Sequence, residues 1–518
     1  MLKVFAARSA VCRAQRDLTR CSSSGRTVPL KRMKNNTSKS PAASTMKRPS
    51  SLAGIRTIHP IVTTLSALAA MASTMKSANV EDDSIPNWRE QYAYTLAVQA
   101  YLYAFPWSYM PKARWDRTIA VNSGANRFFH DRTVIDAANQ YGGGAPNNDT
   151  LYSRAWVYVK DDPIILSVPE IRDRYYTMEI TDFMGDNFAY VGVRTTGTKA
   201  GNYAIVGPNW KGELPAGVVQ LPPSSTPWVT ILGRTLVKNR QDLETVHAIQ
   251  DHYKLTPLSQ WGKPEPKLPD SPEIWKPLDK KADPLAAWKM INRAMVEVPP
   301  PERDNDLIQS FSRIGIGPGL DVEALDLSTK RGLERAAVDG YKIIAGAFAG
   351  GYLQKQVNGW NYPPPATGRP TPSRDWLFRA VQMLAGFIAN DPEEAIYLNV
   401  SLDGEGKPLS GENRYEIRFN KDGLPDVGAF WSVTVYDDKY NLVANPISRY
   451  SLGDRSGMRA DKDGSVTIYL QKNSPGTEKE ANWLPVGEGK FFLILRTYLP
   501  GKDLLSQTWS PPPISLVQ

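Results

Sequence analysis

Cysteine is nearly absent from this chain. Cys12 and Cys21 are its two examples, and both lie near the N-terminus. The rest of the polypeptide therefore has no disulfide framework, no thiolate nucleophile and no cysteine-based zinc site. Histidine is scarce too, with His59, His130, His247 and His252. His247 and His252 are five apart, not the three or four that set two ligands on one helix face, so a histidine zinc centre is not expected. No G-x-S-x-G turn offers a serine nucleophile. The glycine clusters "GGYLQ" and "GIGPG" lack the strand context and spacing of a phosphate loop. No cofactor and no metal is expected. Fixed-period repeats are also missing.

Acidic residues are missing from one region. Residues 1–80 hold 14 Lys and Arg but one acid, Asp17. The formal charge of +9 is therefore misleading, because the remainder carries 48 basic against 52 acidic residues, a net of −4. A mildly acidic body exerts no long-range pull on phosphates, and nucleic acid is not an expected partner.

Within that basic stretch Met46 opens "MKRPSSLAGIRTIHPIVTTLSALAAMASTMK". Lys47, Arg48 and Arg56 form a basic n-region, residues 61–72 an apolar run, and Ala70-Met71-Ala72 a small-x-small cleavage site before Ser73. This is the layout of a secretory signal peptide, which places the mature protein in the periplasm or outside the cell. A mitochondrial transit peptide is the alternative, since the first 45 residues are rich in Arg and Ser; a retained anchor is the third reading. No later segment reaches 18 uninterrupted apolar residues, so no membrane insertion is expected once the leader is removed.

What is present suits a folded protein. Hydrophobic residues make up 41% and aromatics 10%, too many for a disordered chain. A length of 518 residues exceeds one ordinary core and implies two or three domains. Residues 87–120 carry aromatic and aliphatic side chains at helical spacing (Tyr92, Leu96, Ala100, Tyr103), which predicts one or two helices ended by Pro106 and Pro111. From Leu151 to Thr235 the period becomes two, in "RAWVYV", "RYYTMEI", "NFAYVGVR", "NYAIVG" and "WVTILGR", the pattern of an antiparallel sheet. Residues 242–255 read as a helix. The Pro- and Lys-dense stretch 261–284 reads as a crossing or linker, followed by helices over 285–312, 321–355 and 371–390. The last hundred residues return to strands in "NRYEIRFN", "AFWSVTVYD", "SVTIYLQK" and "KFFLILRTYL". The fold class is α+β. The organisation is a leader over 1–80, a mixed helical and antiparallel-β domain over 85–260, a linker and helical segment over 261–390, and a C-terminal β-sandwich over 391–518.

Two long motifs carry a resemblance. "APNNDTLYSRAWV", with "MEITDFMGDNFAYVG" after it, resembles the bacterial family called domain of unknown function 1254. "AFWSVTVYDDKYNLVANPISRYSLGDRSG", followed by "NWLPVGEGKFFLILRTYLP", resembles its usual C-terminal companion, domain of unknown function 1214. The resemblance covers roughly residues 90–515. It implies a mixed N-terminal domain and a jelly-roll-like C-terminal sandwich, and it brings no agreed catalytic residues.

Chemistry must come from the side chains. Asn147, Asn148, Asp149, Thr150 and Tyr152 place two amides, a carboxylate, a hydroxyl and a phenol within six residues. Such groups make Asx-turns, and they also bind sugars or carboxylates. Thr177, Glu179 and Thr181 share one strand face, while Asp182 follows Ile180 on the apolar side and needs a partner there, Arg154 or Arg234. Asp182 could instead work as an acid or base with Asp186 or Glu179, or bind a cation with Asp186 and Asn187. Near the C-terminus, Phe492, Ile494, Arg496 and Tyr498 fall on one face. An arginine so placed needs an anion, either Asp437, Asp454 or a bound carboxylate or phosphate. Ser432, Thr434 and Tyr436 form a polar stripe on the partner strand, with Asn445, Arg449, Asn482 and Trp483 in nearby loops.

These residues lead to one expectation. The two β regions meet in a cleft that binds a small polar or anionic molecule, carbohydrate included, through Asn147, Asn148, Asp182, Tyr436, Arg449, Asn482 and Trp483. Any catalysis would be metal-independent hydrolysis or elimination, with Tyr152 or Asp149 moving protons and Arg234 or Arg496 steadying negative charge. The alternatives are a non-catalytic envelope or interaction module with an exposed apolar patch, and a metal-dependent enzyme in which Asp182, Asp186 and a histidine converge.

Overall fold

The structure, a computed structural model, describes residues 87–140, 144–268 and 271–517. The expected leader and its cleavage site lie outside them. The first half of the body comprises α1 (Trp88–Arg117), β1 (Phe129–His130), β2 (Thr150–Tyr158), β3 (Ile164–Val168), β4 (Tyr176–Asp182), β5 (Asn187–Gly192), β6 (Gly201–Ile205), β7 (Val218–Gln220), β8 (Trp228–Leu236), α2 (Leu243–Asp251) and β9 (Lys254–Pro257). A helical stretch follows, with α3 (Ala286–Glu297), α4 (Asn305–Ser312) and α5 (Leu327–Ala349), then β10 (Lys355–Val357), β11 (Trp360–Tyr362) and α6 (Trp376–Gly386). The last part holds β12 (Ala395–Val400), β13 (Arg414–Phe419), β14 (Val427–Asp437), β15 (Ser451–Gly453), β16 (Val466–Gln471), β17 (Trp483–Pro485), β18 (Phe491–Pro500), α7 (Lys502–Leu505) and β19 (Ser515–Val517). The fold class is α+β.

Period-two alternation dictates two sheet pairs. In the first, the antiparallel sheet β1-β2-β8-β4-β5 packs on the four-stranded sheet β7-β6-β3-β9. Ala155, Val157, Met178, Ile180, Val229 and Ile231 turn inward and meet Ile164, Leu166, Val168 and Ile205. The residues between them must point outward. Tyr152, Arg234 and Thr177 lie abreast across β2, β8 and β4 on that outer face.

The second pair stacks β10-β11-β12-β18-β14-β15 on β17-β16-β13-β19. Its core takes Leu398, Val433, Val435, Leu493 and Leu495 from one sheet and Tyr415, Ile417, Phe419, Ile468 and Leu470 from the other. The opposite face of the six-stranded sheet is left with Tyr397, Phe430, Ser432, Thr434, Tyr436, Ile494, Arg496 and Tyr498. Tyr397 and Ser432 flank Arg496 directly.

The helices fix where the two outer faces meet. One core joins α1, α3, α5 and α6 to Trp156 and Trp228, which stand on the outer face of the first sheet. Ile274 and Trp275, from the proline-dense 261–284 segment, are buried in that same core. The other end of the face meets the second sandwich. Tyr175 lies 5.1 Å from Tyr498 and 5.7 Å from Phe430, ring centre to ring centre. The seam between the sandwiches is thus bounded by helices at one end and by an aromatic cluster at the other. The described residues from Arg89 onward belong to one compact unit.

Three local expectations change. Helix α1 does not end at its prolines but runs through both Pro106 and Pro111. Each proline removes one helical hydrogen bond, yet Phe105, Trp107 and Met110 around them are buried, and that packing offsets the loss. The buried stripe of α1 is Ala93, Ala97, Ala100, Tyr101 and Ala104, whereas Tyr92 is 47% exposed. Strands β3 and β12 arise from "IILSV" and "AIYLNV", runs too short and too evenly apolar to announce a period.

Candidate functional site

The "APNND" loop explains itself first. Asn147 makes an Asx-turn, its Oδ1 accepting the Asp149 backbone N–H at 2.5 Å. The same side chain reaches across the seam, where its Nδ2 donates to the Tyr498 hydroxyl at 2.5 Å. Asp149 is buried, and both its oxygens are engaged, Oδ2 by Ser432 at 2.7 Å and Oδ1 by Arg455 at 2.9 Å. A carboxylate so bound holds the two sandwiches together rather than moving protons. Asn148 keeps a buried Oδ1 with no partner.

Arg496 is the central group. It is 2% exposed and forms no ion pair with a described carboxylate. Neither Asp437 nor Asp454 serves it: the first caps its own turn through Lys439 and Asn441, and the second accepts the Trp431 backbone N–H. Instead Arg496 donates to Thr434 Oγ1 at 3.0 Å, to the Ala145 carbonyl at 2.9 Å and to the Tyr436 hydroxyl at 2.7 Å. The Tyr436 hydroxyl in turn donates to the Pro146 carbonyl at 2.7 Å. All these acceptors are neutral, and the buried Arg496 Nε has none. Its guanidinium carbon lies 5.1 Å from the Tyr397 ring centre and 5.6 Å from that of Tyr436.

From the first sheet, Arg234 faces the same place. Its Nη1 donates to Glu179 Oε2 at 2.5 Å and to Asn390 Oδ1 at 3.0 Å. Arg234 Nε and Glu179 Oε1 are buried without partners. Burial pushes the Glu179 carboxyl up from its ordinary range, and Arg234 opposes that shift. Asn390 Nδ2 then meets the Tyr397 hydroxyl at 3.3 Å, and Tyr397 meets Tyr498 at 2.9 Å. The two phenols carry two protons and use one between them, since each already accepts an amide N–H. One hydroxyl proton is therefore left for another acceptor. Tyr152, half-buried between these groups, is raised by burial, while Arg234 and Arg496 pull it down. Its phenol thus keeps its proton at neutral pH.

Other polar residues named from the sequence lie elsewhere. Asp182 pairs with neither Arg154 nor Arg234; it accepts from the Met184 and Asp186 backbone N–H groups and from Ser225 at 2.5 Å. Burial, with Asp186 beside it, raises its carboxyl to about 7. Arg154 is paired with Asp131. Among the described residues no three His, Cys, Asp or Glu side chains gather as a metal site requires. Asp182 and Asp186 thus lack the histidine that a metal-dependent reading needs. Arg449 donates to the Glu480 and Trp483 carbonyls, Asn482 Nδ2 to those of Arg459 and Thr467, and Trp483 Nε1 to that of Gln471. These three brace the edge of the C-terminal sandwich, away from Arg496.

Sequence reasoning did not single out Tyr397, Asn390 or Arg455. Tyr397 was signalled only by the alternation of a strand not recognised. Asn390 lies in the loop between α6 and β12 and Arg455 in the turn after β15, where no periodicity points at a distant sheet.

Two surface grooves lie away from the seam. One, of about 480 Å³, runs beside Asn292, Val296 and Leu320; the other, of about 570 Å³, beside Glu412, Arg414 and Lys472. Neither is lined by a buried polar group lacking a partner. Several such groups lie at the seam instead, on Asn148, Arg154, Glu179, Arg234 and Arg496.

Comparison with known proteins agrees with this division. The model of a protein of unknown function, DUF1254, matches residues 125–257, and that of another, DUF1214, matches residues 394–502. The chain carries both domains, in that order. Arg234 and Tyr152 belong to DUF1254; Tyr397, Tyr436, Arg496 and Tyr498 belong to DUF1214. The crystal structure of the VPA0106 protein from Vibrio parahaemolyticus is similar, with 26% identity and a TM-score of 0.64 over 82% of this chain and all of that one. An uncharacterized protein from Burkholderia cenocepacia aligns at 13% identity and a TM-score of 0.40, covering 88% of this chain and 98% of the other. No curated protein matches the chain. Among the described residues no helix is long and apolar enough to cross a membrane.

Proposed function

We propose that the seam between the DUF1254 and DUF1214 domains binds a small organic anion. One observation carries this reading: Arg496 is buried, permanently charged and met only by neutral acceptors, with its Nε unbonded. A buried charge without a counter-ion is costly, and an arriving carboxylate would remove that cost. The surroundings favour an anion further, because the unspent groups are mostly donors: Arg234 Nε, the spare proton of the Tyr397–Tyr498 pair and the protonated Tyr152. Where the bound molecule is turned over, Tyr152 is the proton donor and Arg496 steadies the developing charge.

Thermal shift with a panel of carboxylates and their neutral amides tests the reading. Carboxylates should raise the melting temperature of the protein and amides should not. Arg496→Gln should lose the response. Tyr397→Phe, which deletes a single hydroxyl and spares the fold, should lower carboxylate affinity about tenfold and so shrink the response, as one hydrogen bond to a charged group implies. Equal shifts with acids and amides, or an undiminished response in both variants, would refute the assignment.

A further inference from the structure

A second uncompensated arginine stands at the helical end of the same seam. Arg117 occupies the last turn of α1, is half-buried, and lies with its guanidinium carbon 4.5 Å from the Phe387 ring centre. It makes no ion pair or side-chain hydrogen bond among the described residues; Arg154 is a like charge nearby, and the one carboxylate within electrostatic reach, Asp131, is already paired with Arg154. Donors without acceptors recur beside it. Arg154 Nε is buried and unbonded, and so is Nε1 of Trp156, which stacks on the same Phe387. Tyr152 packs with Tyr436 and Ile494 beside Arg496, and Arg154 and Trp156 follow it along the same face of β2 toward Phe387 and Arg117.

Charge bookkeeping along this face is simple. Five guanidinium groups, Arg117, Arg154, Arg234, Arg455 and Arg496, are set around it. Asp131 neutralises Arg154, Glu179 neutralises Arg234 and Asp149 neutralises Arg455. Two positive charges remain, Arg117 at the helical end of the seam and Arg496 further along it.

Resting on the anion-binding reading above, we propose that the ligand is a dianion, with one acidic group on Arg496 and the other toward Arg117, its middle lying along the Tyr152 ring. A dicarboxylate has this chemistry; a single carboxylate would leave one end uncompensated.

The test titrates the full chain calorimetrically with propionate and with the straight-chain dicarboxylates from succinate to adipate. At least one dicarboxylate should bind ten times or more tighter than propionate. Arg117→Gln should abolish that preference while leaving propionate affinity unchanged. Arg117→Lys, which keeps the charge and guards against misfolding, should retain most of it. Arg496→Gln should weaken both kinds of probe. Equal affinity for mono- and dianions, or an unchanged preference in Arg117→Gln, would overturn the dianion inference alone. Absence of binding by any of these anions to the unaltered protein would overturn it together with the reading it rests on.

Discussion

Asp182 shows how burial alone can make a residue look functional. Its carboxylate sits at the end of β4, 4% exposed, bound by two backbone N–H groups and Ser225. Burial raises its pKa from the ordinary 3.8 to about 7. Between those values the folded chain holds a proton that the unfolded chain releases. Stability from this group is therefore fully present below the lower value and falls as pH rises through about 7. Asp182→Asn keeps the shape and removes the titration. Its melting temperature should gain on that of the parent from pH 4 to about pH 7 and level off above it; a constant difference from pH 4 to pH 8 would contradict the assignment. Much at this scale was legible in the sequence. Alternation put Arg496 in line with Ile494 and Tyr498, and Glu179 with Thr177 and Thr181. Short polar side chains before β2 announced the Asx-turn at Asn147. Counter-ions were not legible. Asp131 for Arg154 and Glu179 for Arg234 are set by which strands become neighbours, and nothing local says that Arg496 has none.

Helix α5 and helix α1 pack through missing side chains. A Cβ added at Gly332 would come within 2.6 Å of the Glu90 carbonyl, and one at Gly340 within 2.7 Å of the Tyr101 ring. With Ala336 between them, buried at 0%, these positions form one face at a spacing of four and let the backbones approach closely. Gly346, on the same helix, faces open space. The two glycines should therefore respond oppositely. Gly332→Leu should lower unfolding stability by about 3 kcal/mol or more, because the obstacle is backbone and cannot yield. Gly346→Ala should raise it by about 0.5–1 kcal/mol through helix propensity. Urea unfolding of both variants checks this, and equal effects would show that the close approach is not what the position requires. The same logic explains why α1 was misread. Proline statistics describe an isolated helix, whereas the core around Phe105, Trp107 and Met110 holds this one together past both rings.

At the scale of the molecule, the two sandwiches present their outer faces to each other, and each face is a poor surface on its own. The first carries Tyr152, with Arg234 and Glu179 and their unspent atoms; the second carries a buried arginine beside the phenols of Tyr397, Tyr436 and Tyr498. Asn147, Asp149 and Asn390 join them across the DUF1254–DUF1214 boundary. Joining alone would be served better by apolar residues, since buried ion pairs contribute little net stability. The arrangement makes sense where a guest molecule completes it. A crystal of the protein soaked with a small dicarboxylate tests this most directly. A carboxylate oxygen should appear within hydrogen-bond distance of Arg496 Nε. Density showing that nitrogen satisfied by a protein carbonyl or carboxylate, with the dicarboxylate absent from the seam or bound elsewhere, would contradict it.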